Sequence, residues 1–320
     1  MLNTPHTRRR IQAATLCWLG TLTLRLAVAQ SPICQDDAFG RTCLAAPAQR
    51  VAALENRHIE NLLAVGLQPI AVSGKAAYAR AYAAISPTLG AEVVDLGLAA
   101  NPNLERMLTL QPDLIVGNAR TVQKYHAVLR TIAPVLAFEV YPAEGGSQFD
   151  NMVDMFKADA LAVGRLPQAL AFMARLEAQL QDARQALAQA GWGGQTVVLA
   201  NINAGITGAD VMLFNSNSTP AELLRRMGLQ YGYDDARHRQ KAFNVTTVEA
   251  LVPLQHVHLL YMPFNAAGVD KLMQSSVWRR LDFVEQSHVH ALPYRQMYAG
   301  PMTAQAFIED VLAVLLREPR

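Results

Sequence analysis

The chain has 320 residues, 51% of them apolar, 7% aromatic and 17% charged, a composition that supports a core large enough for two ordinary domains and excludes disordered and collagen-like chains. Four of the 28 basic residues lie in the first 29 positions, where there is no acid, so the remainder carries 24 basic against 26 acidic side chains and lacks the footprint of a nucleic-acid binder. Beyond that segment no stretch reaches the roughly eighteen uncharged apolar residues that a membrane-spanning helix needs, which argues against a multispanning membrane protein.

At the N-terminus, Arg8-Arg9-Arg10 precede an apolar run over residues 11–24, followed by Ala27-Val28-Ala29. A basic region, an apolar region and a small-residue site make a secretory signal peptide, residues 1–29, cleaved after Ala29 to place the chain in the periplasm. The alternative is an uncleaved anchor, but Arg25 interrupts the run short of spanning length. Thr7-Arg8-Arg9 also resembles a twin-arginine signal, and the export route stays open. Cys17 leaves with the leader, and the bulky Leu16 before it disfavours lipoprotein processing. Cys34 and Cys43 flank a turn-like Asp36-Asp37-Ala38-Phe39-Gly40; in an oxidising compartment they can close a small loop, the alternative being two free thiols.

In chain order, β-rich runs at 51–54, 70–72, 114–116 and 135–138 alternate with helical patterns, and the same alternation returns with runs at 197–199, 259–262 and 289–292. Alternation of this kind predicts two α/β lobes with mainly parallel sheets, residues 30–147 and 191–320. Between them, residues 148–190 carry Leu170, Met173, Leu176, Leu180 and Leu187 at helical spacing, with Pro167 suited to a helix start. From 167 to 190 a helix would reach about 36 Å at ~1.5 Å per residue, enough to join the lobes as a single long backbone helix.

The halves also echo each other. Leu104-Glu105 and Leu110-Gln111 recur at the same spacing as Val248-Glu249 and Leu254-Gln255, and each set runs into an apolar strand, Leu114-Ile115 in the first and, one position later, Leu259-Leu260 in the second. Upstream, Leu62-Leu63 before Gly66-Leu67-Gln68 matches Leu223-Leu224 before Gly228-Leu229-Gln230, each reading as a helix stopped by glycine.

Enzyme motifs are absent from the sequence. Ser73-Gly74-Lys75-Ala76 lacks the first glycine and the final hydroxyl of a phosphate-binding loop, and there is no G-x-G-x-x-G after the first strand, no G-x-S-x-G and no H-E-x-x-H. His256-Val257-His258 and His288-Val289-His290 put paired imidazoles on one strand face, as a metal site could use. Both pairs start their strands, the pole opposite to where open α/β sheets bind ligands, so they read as capping or surface histidines.

A longer ordered set of segments carries a family likeness: residues 51–55, 60–70, Asp95-Leu96-Gly97, Pro102-Asn103-Leu104-Glu105, residues 111–116, Ile132-Ala133-Pro134, residues 247–251, Ser276-Val277-Trp278 and Tyr298-Ala299-Gly300. In that order the chain resembles the periplasmic ferric-siderophore binding proteins, especially the ferric hydroxamate and ferric dicitrate types. The resemblance implies two lobes joined by a rigid helix, a ferric siderophore held in a shallow cleft between them, and delivery to the subunits of an ABC permease. It implies no catalysis, a monomer, no cofactor, and iron bound only as the siderophore chelate, with no metal ligands from the protein. Cobalamin, haem or bare-metal binding on the same architecture is the alternative, and an exported hydrolase a distant one. Glu105 and Glu249 match the family's permease-docking glutamates, one per lobe.

Where the hydroxamate and citrate binders carry a ligand-gripping arginine, this chain has Ala99. Arg120 and Thr121, in the loop after residues 114–116, are the expected substitute. The other ligand-binding candidates are Arg57, after the first strand; Asn201 and Asn203; Arg239, Lys241 and Phe243; Phe264; and Tyr294 and Tyr298. Together they offer cations, hydrogen-bond donors and aromatic surface suited to an anionic chelate.

Overall fold

A computed structural model describes residues 31–142, 145–206 and 208–317, together with Met1. The expected leader, with its cleavage site and Cys17, lies outside the described residues apart from Met1.

A hairpin comes first. Strands β1 (Ile33–Asp37) and β2 (Gly40–Leu44) pair antiparallel with Cys34 opposite Cys43, and the two sulfurs are bonded. Gly40 turns the chain at φ 119°, a conformation open to glycine. The hairpin is fastened to the first lobe by Ala38 N donating to Ala137 O at 2.9 Å, Ala137 N to the Asp37 carboxylate at 3.1 Å, and the Thr42 hydroxyl to Val135 O at 3.0 Å.

The first lobe is built on β3 (Val51–Ala53), β4 (Ala71–Val72), β5 (Val94–Asp95), β6 (Leu114–Asn118) and β7 (Val135–Phe138), all parallel in the order β5-β4-β3-β6-β7. Helices α1 (Asn56–Ala64), α2 (Lys75–Tyr82), α3 (Leu104–Leu110), α4 (Ala119–Val122) and α5 (His126–Ile132) make the crossovers. Side chains alternate across the sheet: Val51, Ala53 and Val116 enter one apolar cluster, Ala52, Leu54 and Ile115 another. Burial of both faces explains why these strands read as unbroken apolar runs.

Two helices follow, α6 (Gln148–Ala162) and α7 (Leu166–Gln189), separated by Gly164 at φ 69°. The 24 residues of α7 extend about 36 Å. Its first turns, through Ala169 and Phe172, pack into the first lobe, and Leu176, Leu180, Ala183 and Leu187 pack into the second. The long helix therefore joins the lobes, and α6 crosses the same junction, with Phe156 on one side and Phe149 and Met152 on the other.

The second lobe contains β8 (Thr196–Ala204), β9 (Ala209–Phe214), α8 (Thr219–Arg226), β10 (Gln230–Tyr231), β11 (Phe243–Thr246), β12 (His258–Pro263), α9 (Ala266–Gln274), α10 (Asp282–Glu285), β13 (Val289–Ala291) and α11 (Pro301–Leu315). Its sheet runs β11-β9-β8-β12-β13, with β10 also on β8. The pairs β8–β12, β12–β13 and β8–β10 are parallel, whereas β9 is antiparallel to both β8 and β11. This antiparallel meander is where the second half leaves the plan of the first.

The two sequence echoes fare differently. In the glycine echo, Leu67 N donates to Leu62 O at 2.9 Å and Leu229 N to Leu224 O at 3.1 Å, with Gly66 at φ 79° and Gly228 at φ 86°. Both α1 and α8 thus end in the same Schellman turn. In the glutamate echo, Glu105 lies in the first turn of α3, whereas Glu249 lies in a single 3₁₀ turn, Val248–Leu251. Pro253 follows Val248 by five positions but Pro112 follows Leu104 by eight, so the second segment is stopped before a full α-helix forms.

The histidine reading is corrected in part. His258 and His290 are not surface groups: they are 9% and 4% exposed, with Nδ1 of His258 3.0 Å from Nε2 of His290. The His288 ring lies 4.1 Å from that of His258, and Trp192 packs edge-on against His258 at 4.7 Å. Among the described residues no group of three or more His, Cys, Asp or Glu side chains is placed to hold a metal ion.

A buried polar network also crosses between α1 and α11. Glu60 accepts from Gly300 N at 2.9 Å, Thr303 N at 2.6 Å and the Thr303 hydroxyl at 2.9 Å, which caps the N-terminus of α11 with a carboxylate from the other lobe. Arg57 donates through Nε and Nη2 to Tyr298 O at 2.8 and 2.5 Å. Asp159 of α6 accepts from His58 at 2.8 Å and Asn61 at 2.7 Å. A Cβ on Gly300 would sit 2.6 Å from Asn61 Oδ1 and 3.1 Å from the Glu60 carboxyl carbon, so a side chain there would displace the groups that make this cap.

Burial raises the pKa of Glu60, opposed by the donors of Gly300, Thr303 and Met302. An acid with a raised folded-state pKa contributes stability that is present below its unfolded value and lost as pH climbs through the folded one. The melting temperature of wild type relative to Glu60→Gln should therefore fall as pH rises above the ordinary glutamate value of about 4.5. A difference that grows over that range contradicts this account. Replacing Cys34 and Cys43 by serine should cost about 2.5 kcal/mol, the chain-entropy value for so short a loop, read as a melting temperature lower by several degrees; an unchanged melting temperature contradicts it.

Candidate functional site

The carboxyl ends of β3, β6 and β7 face the second lobe across a cleft, the position where open parallel sheets present ligands. At its β6–β7 end is a cavity of about 430 Å³ with Phe39, Arg120, Glu139 and Tyr141 from the first lobe and Gln240 and Lys241 from the second. Asn118, the last residue of β6, accepts from Arg120 N at 2.9 Å and starts α4, which fixes the backbone from which Arg120 projects. Phe39 is carried in by the disulfide-bonded hairpin and stacks on His126 at 4.1 Å.

At the β3 end lies a smaller cavity of about 220 Å³, with Glu55 and Tyr82 from the first lobe and Asn201, Phe214, Tyr294 and Tyr298 from the second. Gln296 closes it by accepting from Asn56 Nδ2 at 3.2 Å and from the Tyr82 hydroxyl at 2.9 Å, both bonds crossing between lobes. Tyr298 separates the two cavities. Its ring meets Tyr141 edge-on at 6.0 Å and contacts Phe214 and Phe243, and its hydroxyl donates to Lys241 O at 3.2 Å. Burial pushes the phenols of Tyr294 and Tyr298 up, so both stay neutral at physiological pH.

Of the expected ligand-binding residues, Arg120 and Lys241 come together in the larger cavity and Asn201, Tyr294 and Tyr298 in the smaller. Phe243 reaches the site as a ring against Tyr298 at 5.5 Å, and Phe264 as an exposed ring edge-on to Tyr294 at 5.1 Å. Four residues do not converge there. Arg57 is buried and held on the Tyr298 carbonyl, because the first turn of α1 faces α11 rather than the cleft. Asn203 accepts from Asn265 and from Ala204 N near the end of β8. Arg239 is paired with Asp234 at 2.6 Å. Thr121 lies inside α4 and lines neither cavity.

The structure adds Phe39, Glu139 and Tyr141 at one end and Glu55, Tyr82, Phe214 and Gln296 at the other. Glu139 directly follows β7 and Glu55 lies two positions past the end of β3, a signal that marks them once every strand end is inspected rather than only those carrying cations. Phe39 and Gln296 carry no such signal.

Glu105 and Glu249 are both exposed and lie away from these cavities. Glu249 accepts from the Thr247 hydroxyl, which lowers its pKa and keeps it charged. It borders a groove of about 550 Å³ formed by the second lobe alone, beside Ile206 and Lys271.

Residues 51–296 match the family model described as periplasmic binding protein. The chain is 24% identical over 268 residues to the iron(3+)-hydroxamate-binding protein FhuD of Escherichia coli, covering 81% of this chain and 84% of that one. It is 22% identical over 259 residues to the Fe(3+)-citrate-binding protein YfmC of Bacillus subtilis, covering 79% and 76%. Among solved structures, the siderophore-binding protein FhuD of Vibrio cholerae with Fe3+-Desferal superposes with a TM-score of 0.74 at 24% identity, covering 84% of this chain and 98% of that one. Staphylococcus aureus SirA with staphyloferrin B gives 0.67 at 17%, covering 90% and 99%. Two α/β lobes, a long joining helix and a family match across both sheets establish that the chain belongs to the periplasmic binding protein family.

Proposed function

We propose that this chain is the substrate-binding component of an ABC importer for a ferric siderophore. The observation that carries the reading is the cleft: cations from opposite lobes, Arg120 and Lys241, stand beside an aromatic wall at the strand ends. Cations neutralise carboxylate or hydroxamate oxygens, while tyrosine and phenylalanine cover the organic shell. The iron is cargo, coordinated by its chelate. The relatives' names, which refer to ferric hydroxamate and ferric citrate binding, support the same class. We place the protein in the periplasm after cleavage behind Ala29, acting as a monomer that hands over its ligand unchanged.

Calorimetric titration with ferric hydroxamates, ferric citrate, a ferric catecholate, haem, cobalamin and free metal ions tests this. Saturable binding of a ferric chelate but not of its iron-free form is expected; binding of only haem, cobalamin or free metal overturns it. Arg120→Ala should raise the Kd for that chelate about tenfold and reduce its salt dependence. An unchanged Kd removes Arg120 from the site.

Glu105 and Glu249, one exposed acid per lobe, are proposed to dock on basic residues of the two permease subunits. Reversing both charges should bring cellular uptake of the ferric chelate to background while the Kd of the purified protein changes by less than about twofold. Normal uptake by the double variant rules out the docking role.

A further inference from the structure

The two ends of the cleft differ in chemistry. Around the larger cavity stand Arg120 and Lys241 against Glu139; in the smaller one, Glu55 is the one charged group among the described lining residues. Two acceptors on its lining residues have no hydrogen-bond partner although both atoms are buried: Oε2 of Glu55 and Oδ1 of Asn201, the latter on a residue only 9% exposed. A buried carboxylate oxygen without a donor is costly, and such groups ordinarily find one. The surrounding wall is aromatic, with Tyr82, Phe214, Tyr294 and Tyr298. Arg57, the nearest buried cation along the chain, is committed to the Tyr298 carbonyl and does not line the cavity.

We infer that this cavity is a subsite for a protonated primary amine carried by the ferric chelate. An ammonium group brings three N–H donors and a charge opposite to that of Glu55, which lines the cavity. The π-faces of the ring wall attract the same charge, most strongly where water is excluded. A neutral hydroxyl would leave the charge of the carboxylate uncompensated. Size supports an appendage: about 220 Å³ falls below the ~300 Å³ at which pockets begin to hold whole drug-sized ligands. The body of the chelate then lies at the Arg120–Lys241 end, past Tyr298, with an aliphatic amine tail reaching the β3 end. The inference rests on the ferric-siderophore reading and narrows it to chelates with such a tail.

The test is calorimetric titration of the whole mature protein near pH 7, where an alkyl amine is protonated. The probes are the ferric complex of a linear trihydroxamate ending in a free primary amine and the same complex with that amine acetylated. Wild type is expected to bind the acetylated form about tenfold more weakly, a difference of ~1.4 kcal/mol. In Glu55→Gln the ratio of the two Kd values should collapse toward one. Asn201→Ala, which removes the second acceptor, should also lower the ratio and provides the comparison if the first variant does not fold. Equal Kd values for the two forms in wild type overturn the amine subsite while leaving the siderophore reading intact, as does an undiminished ratio in a folded variant. Failure of both forms, together with every other ferric chelate, to bind overturns the siderophore reading and the subsite with it.

Discussion

The Glu60 carboxylate, carried on α1 of the first lobe and buried at the N-terminus of α11 in the second, fixes the geometry on which the cleft depends. A helix N-terminus has backbone N–H groups without partners, and here they are satisfied from across the lobe junction rather than by a local cap; Gly300, at the cap position, has no side chain to offer. Moving the lobes apart would expose orphaned donors and strand a buried carboxylate at the same time. Arg57 extends the constraint to Tyr298, two residues before the cap, by holding its carbonyl with two N–H groups. The ring that divides the cleft is therefore positioned by the contact that fixes the lobes.

With α6, α7 and this latch crossing the junction, wide closure around a ligand would require several packed contacts to break together. Recognition consequently falls to side chains already in place at the strand ends. The rings of Tyr141, Phe243 and Phe214 around Tyr298 form a preorganised surface, and preorganisation reduces the ordering cost of binding. A shallow, largely fixed cleft suits a rigid ferric chelate better than a small flexible solute that must be enclosed.

Much of the fold was legible in the residues. Strands buried on both faces announced themselves as apolar runs, and Gly66 and Gly228 marked helix ends because the positive φ of a Schellman turn leaves a local trace. What depended on long-range packing was not legible. The antiparallel β9 and β11 were missed because their burial alternates or is partial, leaving no continuous apolar run. Arg57 read as a cleft cation because it follows a strand, yet the helical turn it occupies faces α11. The buried His258–His290 contact comes from two strands adjacent only in the folded sheet, so the H-V-H spacing within each strand pointed to the wrong pairing. Of the site, the cations and aromatic rings are legible because an anionic chelate calls for them at strand ends; the acidic end is not, because an anionic ligand gives a carboxylate no role.

Absence of the family's gripping arginine at Ala99 acquires a physical reading from this arrangement. A single strong anchor would center recognition on one anionic group, whereas here positive charge is shared between Arg120 and Lys241 on opposite lobes, with Glu139 beside them and Glu55 at the far end. A cleft whose charge differs along its length discriminates by orientation: a ligand entering reversed would set its anionic oxygens against Glu55. Repulsion there, with no cation among the described residues lining that cavity to offset it, penalises the pose, so the charge layout selects register as well as ligand class. The central ring of Tyr298 adds no charge to either end and can serve a ligand body of either polarity, which leaves the two termini of the cleft to set specificity.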